Sequence, residues 1–262
     1  MLNDQVKISV IIPVKNGEKT IQKTVESVLT QSYKFFECII VHGDSHDKTK
    51  KILDEKFSFL KIIHGKDKSI ADAMNKGIVL STGSLISVLN SGDTYHKDTL
   101  KKAVVSHLKN PNDVLHGNMR VFFEDGRYYE EIAPRHPNFN LGMVINHPTM
   151  FIPKIIMDKN GYYDDSFQIS CDLEICVRYS QKKIKFKKIC DDILVDYEVG
   201  GISTQRPKIV IQEAHRIRKM YKMFRFIDFR YYKGLILFFL FGKTLTMISH
   251  KKRLFQNKRA YK

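Results

Sequence analysis

"SVLNSGDTY", residues Ser87 to Tyr95, passes from an apolar run straight into Asn90-Ser91-Gly92-Asp93. An ionised carboxylate at the end of a buried strand has to be solvated, paired or bound to a cation, because burying it alone is very costly. Three earlier runs have the same form: "ISVIIP" (Ile8 to Pro13), "ECIIV" (Glu37 to Val41) and "LKIIH" (Leu60 to His64). Continuous apolarity over about five residues, as also in "LISVL" (Leu85 to Leu89), suits strands covered on both faces of a parallel sheet. Each run opens into a polar loop, and three of the four loops, "PVKNGE", "HGDSHDKT", "HGKDKS" and "NSGDTY", carry Asp.

Helical patterns lie between these strands. Ile21, Val25, Val28 and Leu29 recur at helical spacing, and Ser69 to Leu80 forms a second amphipathic piece closed by Ser81-Thr82-Gly83. Strand-helix-strand repeats at about 25-residue intervals predict an α/β fold with an open, doubly wound sheet. In such sheets ligands bind beyond the carboxyl ends of the strands, where the four polar loops converge. Further on, "VLHGNMRVFF" and "GRYYEEI" are expected to pair around the turn signal Glu124-Asp125-Gly126. There is no internal repeat and no low-complexity tract.

The 262 residues are 43% apolar and 27% charged, values of a globular chain rather than a disordered one. The net charge of +16 is unevenly placed: residues 205–262 hold sixteen Lys or Arg against two acids, Glu213 and Asp228. The first 204 residues are close to neutral, so the chain reads as an ordinary globular body, 1–204, with a strongly basic tail, 205–262. Cys38, Cys171, Cys176 and Cys190 have no paired spacing and read as reduced, buried thiols. The N-terminus lacks the basic start and long apolar segment of a secretory signal, which points to a cytoplasmic protein. "GLILFFLFG", Gly234 to Gly242, is far below the roughly 20 residues that a spanning helix needs.

Taken together, these motifs resemble the family 2 glycosyltransferases, whose catalytic domain has the GT-A fold, a mixed and mainly parallel doubly wound sheet. The likeness runs over most of residues 7–204. "ISVIIPVKNGEKTIQKTVESVLTQSY" is similar to the family's opening strand, nucleotide-contacting loop and first helix. "CIIVHGDSHDKT" is similar to its second strand and aspartate-rich turn, and "DKSIADAMNKGIVLSTGSLISVLNSGDTY" to the segment that runs into the metal-binding aspartates. "NHPTMFI", "YYDDSFQISCDLEICVRYS" and "GGIS" resemble the acceptor-side half, in a branch associated with bacterial surface polysaccharides such as O-antigen and capsule.

The resemblance implies an inverting sugar transfer from a nucleotide-sugar, UDP foremost, to a saccharide or polyprenyl-diphosphate-linked acceptor. It makes Asp93 the ligand of Mg²⁺ or Mn²⁺, a hard cation suited to a carboxylate and phosphate oxygens. Asn90, Ser91 and Gly92 share that turn, and Gly92 lets the backbone approach the pyrophosphate. Pro13, Val14 and Asn16 match the loop against the nucleoside. His42 stands where the family usually has an aspartate that accepts from the uracil N–H; a neutral imidazole nitrogen can accept, and so can Asp44. Asp67, Asp72 and Asn75 match a donor-binding stretch, and His147 a position near the pocket. Gly200 and Gly201 also match pocket positions or shape a turn.

Asp172 matches the acceptor-side base. Apolar residues Ile169, Leu173, Ile175, Cys176 and Tyr179 favour a helix with Asp172 near its start, where the alternative role is that of a helix cap. Glu174 is the substitute should the register differ.

In the tail, Ile217, Met220, Tyr221, Phe224, Ile227 and Tyr231 step by three or four against a face of Arg and Lys. This is the pattern of a basic amphipathic helix on an anionic membrane surface, which would hold the protein peripherally on the inner face of the cell membrane. A helix packed on the catalytic domain is the alternative. Nucleic acid is not expected, since no recognisable RNA-binding module accompanies the basic residues. A scaffold that keeps the fold around a decayed site is the rival to an enzyme, suggested by His42 and by the Gly-Asp pair at 92–93.

Overall fold

The computed structural model describes residues 6–123 and 125–223. The first four strands are β1 (Ile8–Val14), β2 (Phe36–His42), β3 (Lys61–His64) and β4 (Leu85–Val88), with helices α1 (Ile21–Leu29), α2 (Thr49–Lys56) and α3 (Ile70–Val79) between them. After β4 come the two-residue β5 (Thr94–Tyr95), α4 (Thr99–Lys109), β6 (Val114–Phe122), β7 (Tyr128–Glu131), β8 (Phe151–Pro153) and α5 (Lys154–Asn160). The chain continues through α6 (Cys171–Gln181), β9 (Phe186–Glu198), the short α7 (Ile202–Gln205) and α8 (Pro207–Met220).

These strands make one nine-stranded sheet in the order β3-β2-β1-β4-β8-β6-β9-β5, with β7 added to β6 as the expected hairpin. β1 to β4 are mutually parallel. β8 runs against both β4 and β6, so β6 and its parallel partner β9 point the same way as β1 to β4. The carboxyl ends of six strands therefore share one edge of the sheet.

β1 and β4 are buried along their whole length, as continuous apolarity requires. β3 departs from the expectation of cover on both faces: it is the edge strand, and Lys61 and His64 are exposed. One core layer, with Ile21, Val25, Val28 and Leu53, lies under α1 and α2; the other, with Ala71, Met74, Ile78, Ile175 and Tyr179, lies under α3 and α6. A Cβ at Gly77 would sit 2.5 Å from Ile11 Cγ2, so glycine lets α3 lie directly on β1. The four cysteines are free, and three of them are buried.

The division at 204/205 falls within α7, at its last residue, and the described part of the basic tail is docked on the body. Ile217 is fully buried, Glu213 nearly so, and the α8 side chain of Arg216 lies over the Phe167 ring at 4.3 Å. The stripe read from Phe224 onward lies outside the described residues. Among the described residues no helix is long and apolar enough to cross a membrane.

Candidate active site

The turn that carries Asp93 is built by α1. Gly92 has φ +116, a left-handed backbone value that favours glycine, and its N–H donates to Thr24 Oγ1 at 3.0 Å. Ser91 Oγ meets Thr20 Oγ1 at 2.8 Å, and the Asp93 N–H closes the turn on Asn90 C=O at 3.0 Å. These bonds drive Asp93 inward to 3% exposure, where its Oδ2 has no hydrogen-bond partner; Asn90 Oδ1 is orphaned in the same way. Burial pushes the Asp93 carboxyl up to about 8, although the Glu198 backbone N–H and the Lys23 charge draw it down. Lys23 is itself claimed by an ion pair with Glu198. A buried carboxylate with a free oxygen and a reluctance to ionise alone is suited to a cation, so the residues present fit the expected metal.

Asp172 sits in the first turn of α6, beyond the N-cap Ser170. The segment that leads into α6 is held by α8: Glu213 accepts the backbone N–H groups of Gln168, Ile169 and Ser170, with Oε2 at 3.0 and 2.8 Å from the last two. Within the first turn of α6, Asp172 accepts the adjacent Leu173 N–H at 2.7 Å, a bond compatible with a capping role. Burial raises the Asp172 carboxyl above the ordinary range, against the pull of nearby His147. His147, kept neutral by burial, shares a hydrogen bond of 2.9 Å between Nε2 and the Tyr163 hydroxyl. Glu174 is not available as a substitute base: it is 1% exposed, paired with Arg178 at 2.9 Å and bonded by the Tyr221 hydroxyl.

Both acids act on Tyr197, at the end of β9. Burial raises its phenol, and the charges of Asp93 and Asp172 raise it further, so both acids lie within electrostatic reach of it. A hollow of about 340 Å³ adjoins it, lined by Gly92, Phe122, Phe123, Tyr197 and Glu198 among others. Tyr197 was missed by the sequence reading; its signal, a tyrosine directly before Glu-Val-Gly-Gly, is visible in "DYEVGG".

The remaining residues fall into two groups. Pro13, Val14, Asn16, His42 and Asp44 line the carboxyl ends of β1 and β2, with Val14 beside His42 in register. Asn16, at φ 53, receives the His46 N–H at 2.9 Å and locks the two loops together. His42 is buried, with Nδ1 3.0 Å from His64 Nδ1 and Nε2 sealed without a partner. Burial, then His64 and Lys50, hold its pKa low, so it is neutral. Asp44 is exposed.

The second group belongs to α3 and its approach. Asp72 accepts the Lys68 N–H at 2.9 Å and, with Asp67, holds Lys76 at 3.0 and 2.7 Å. Asn75 spends both ends of its amide on the backbone of Tyr163, at 2.8 and 3.1 Å, tying α3 to the acceptor half.

A family model described as "Glycosyl transferase family 2" matches residues 9–162, more than half of the chain. The chain belongs to glycosyl transferase family 2. Its relatives in this family include the amylovoran biosynthesis glycosyltransferase AmsB of Erwinia amylovora, 30% identical over 76% of this chain and 72% of AmsB. The UDP-Glc:alpha-D-GlcNAc-diphosphoundecaprenol beta-1,3-glucosyltransferase WfgD of Escherichia coli is 29% identical over 52% of this chain. An uncharacterised glycosyltransferase of Rickettsia typhi is 25% identical over 66% of it. The chain spans a little over half the length of these last two, 55% and 58%. The fold is that of S. aureus TarS: its structure with UDP-GlcNAc superposes with a TM-score of 0.64 at 18% identity, over 80% of this chain and 66% of that one. The GT-A architecture expected of a family 2 member is therefore the one observed.

Proposed function

We propose that this chain transfers a glycosyl residue from a nucleotide-sugar, UDP-hexose or UDP-N-acetylhexosamine foremost, to a saccharide hydroxyl, with inversion at the anomeric carbon. One observation supports the reading: burial raises two carboxylates, Asp93 after β4 and Asp172 at the start of α6, and both lie within electrostatic reach of Tyr197 at the end of β9. Perturbed acids gathered in a cleft are the mark of a catalytic site.

Asp172 serves as the base. Its raised pKa strengthens it as a proton acceptor, and it takes the acceptor hydroxyl proton as that oxygen bonds to C1. The C1–O bond to the diphosphate breaks on the opposite face, and its electron pair leaves with the phosphate oxygen. Asp93, with donor phosphates and water, would hold Mg²⁺ or Mn²⁺, since among the described residues no three His, Cys, Asp or Glu side chains form a ready-made site. When bound, such an ion neutralises the charge gathering on the leaving diphosphate. His147, bonded to the Tyr163 hydroxyl, lies within electrostatic reach of the base.

UDP is supported by the TarS complexes with UDP and UDP-GlcNAc, and a lipid-linked acceptor by the name of WfgD. Such an acceptor agrees with a basic tail that rests on an anionic membrane at the cytoplasmic face. Assembly of a bacterial surface polysaccharide, as with AmsB, is the setting that these relatives favour.

The test is a panel of UDP-, GDP- and dTDP-sugars with Mg²⁺ or Mn²⁺, read as cation-dependent binding and slow donor hydrolysis. Asp93→Asn is expected to lose cation-dependent binding, and Asp172→Asn to bind the donor without turning it over. Absence of binding across the whole panel would instead favour the scaffold reading.

A further inference from the structure

We propose that the body itself carries a basic face, built where α4 lies along the amino half of β9, that rests on the anionic phospholipid headgroups of a membrane. Segments 97–113 and 182–192 hold nine lysines against four acids, whereas residues 1–204 as a whole hold 28 Lys or Arg against 26 acids. The local surplus of cations thus exceeds that of the entire body. The two segments are neighbours in space. Val114, just past the first, donates its N–H to Lys185 C=O at 2.9 Å, and Lys102 on α4 pairs with Asp192 at 2.8 Å.

A groove of about 390 Å³ runs between them, lined by Lys101, Lys109 and Lys187 with aliphatic Val105 and Ile189. Lys102 and Lys188 are taken by Asp192 and Asp191. Lys101, Lys109 and Lys187 are exposed and enter no ion pair among the described residues; the same holds for Lys183 and Lys185 in the turn into β9. Leu108, 49% exposed, stands beside Lys109 and two helical turns from Lys101, on the same side of α4.

A bilayer is the occupant that these features fit. Ammonium groups on flexible stems meet scattered phosphates without a fixed geometry, and clustered lysines are drawn to anionic lipids. Exposed Leu108 adds apolar surface at the same place. The groove has no aromatic lining on which a nucleic-acid base could stack. The described part of the basic tail also ends here: Gln181 Nε2 donates to Tyr221 C=O at 2.7 Å, which brings the chain beside Lys182. Residues 224–262 then add ten Lys or Arg against one acid. Lysines alone bind a membrane weakly, and stable attachment takes a second signal. The face therefore rests on the reading of the tail as a membrane segment: the tail holds the protein down, and the face fixes how the body sits.

Binding of the full chain to phosphatidylcholine vesicles with and without phosphatidylglycerol tests the assignment. Lys109→Gln, Lys185→Gln and Lys187→Gln together should lower affinity for the anionic vesicles by at least about tenfold. The same loss of charge on the exposed lysines at α2, Lys48→Gln, Lys51→Gln and Lys56→Gln, should cost less than about threefold. The chain has no tryptophan, so Leu108→Trp and Phe59→Trp each place a single indole on a chosen side, Phe59 being 71% exposed just before edge strand β3. Brominated lipid should quench the indole at 108 and leave the one at 59 bright, a reading that needs no lysine variant. The assignment is overturned by equal losses in the two lysine variants, by equal quenching at 59 and 108, or by a face variant that binds vesicles as the native chain does while losing affinity for single-stranded RNA or polyglutamate. Anionic vesicle binding that is undiminished with the face neutralised leaves the tail reading standing without it. A native chain that ignores both kinds of vesicle removes the membrane reading of the tail and this face together.

Discussion

Replacing Asp93 with Asn should make the cation-free protein more stable, although it destroys the proposed cation site. The unfolded chain releases the Asp93 proton near an ordinary carboxylate value of about 3.9, whereas the folded protein holds it up to about 8. Between those values the folded state binds more protons, so its stability falls as pH rises through the window. Each pH unit is worth about 1.4 kcal/mol, so the loss reaches roughly 4 kcal/mol at pH 7. Asn has the same shape and no proton to hold. Some of the gain is returned, since its NH₂ group must replace an acceptor in a buried turn, at about 1–3 kcal/mol. The net expectation is a variant about 2 kcal/mol more stable at pH 7, or roughly 4–8 °C in Tm for a domain of this size. The assay is a set of thermal melts of both proteins in EDTA at pH 5, 7 and 8.5, repeated with Mn²⁺ and UDP. The gap should widen with pH in EDTA and reverse with ligands, where the native chain gains about 2.7 kcal/mol at a hundredfold excess over Kd. A variant that melts at or below the native chain at every pH in EDTA would refute the argument.

Four further outcomes are expected. Asp172→Asn should lower kcat by about 10²–10⁴ with donor affinity unchanged, and the native kcat should rise with pH through a value above the ordinary carboxylate range, as stopped assays across pH would read. Glu213→Ala leaves three backbone N–H groups just before α6 without their acceptor and should cost about 2–4 kcal/mol in urea unfolding, with transfer reduced as well. Gly77→Ala drives a methyl into Ile11 and should cost about 1–3 kcal/mol, again by urea unfolding. Truncation after residue 223 should keep the melting behaviour of the body and abolish sedimentation with anionic vesicles; co-sedimentation that survives the deletion would place membrane binding elsewhere.

Much of the sheet was legible because β1, β2 and β4 are sealed by helices, and a strand covered on both faces advertises itself as an unbroken apolar run. Gly92-Asp93 could be read because a carboxylate at a strand end demands an explanation. What stayed hidden depends on contacts between distant segments. Glu213 looked like one of two stray acids in a basic tail, and its partners lie more than forty positions earlier. Asn75 carried a donor-binding motif, yet its amide serves Tyr163, 88 positions away. Tyr197 resembles any strand aromatic until β9 brings it within electrostatic reach of Asp93 and Asp172. Ile217 was grouped with a membrane-facing stripe, and periodicity alone cannot tell a face that meets lipid from one that meets α6.

The contact between Glu213 and the residues that lead into α6 ties α8 to the segment that carries Asp172. Together with buried Ile217 and with Arg216 over the Phe167 ring, it gives α8 several holds on that segment. A deletion that reaches residue 213 is therefore expected to loosen the approach to Asp172 as well as to remove the basic tail.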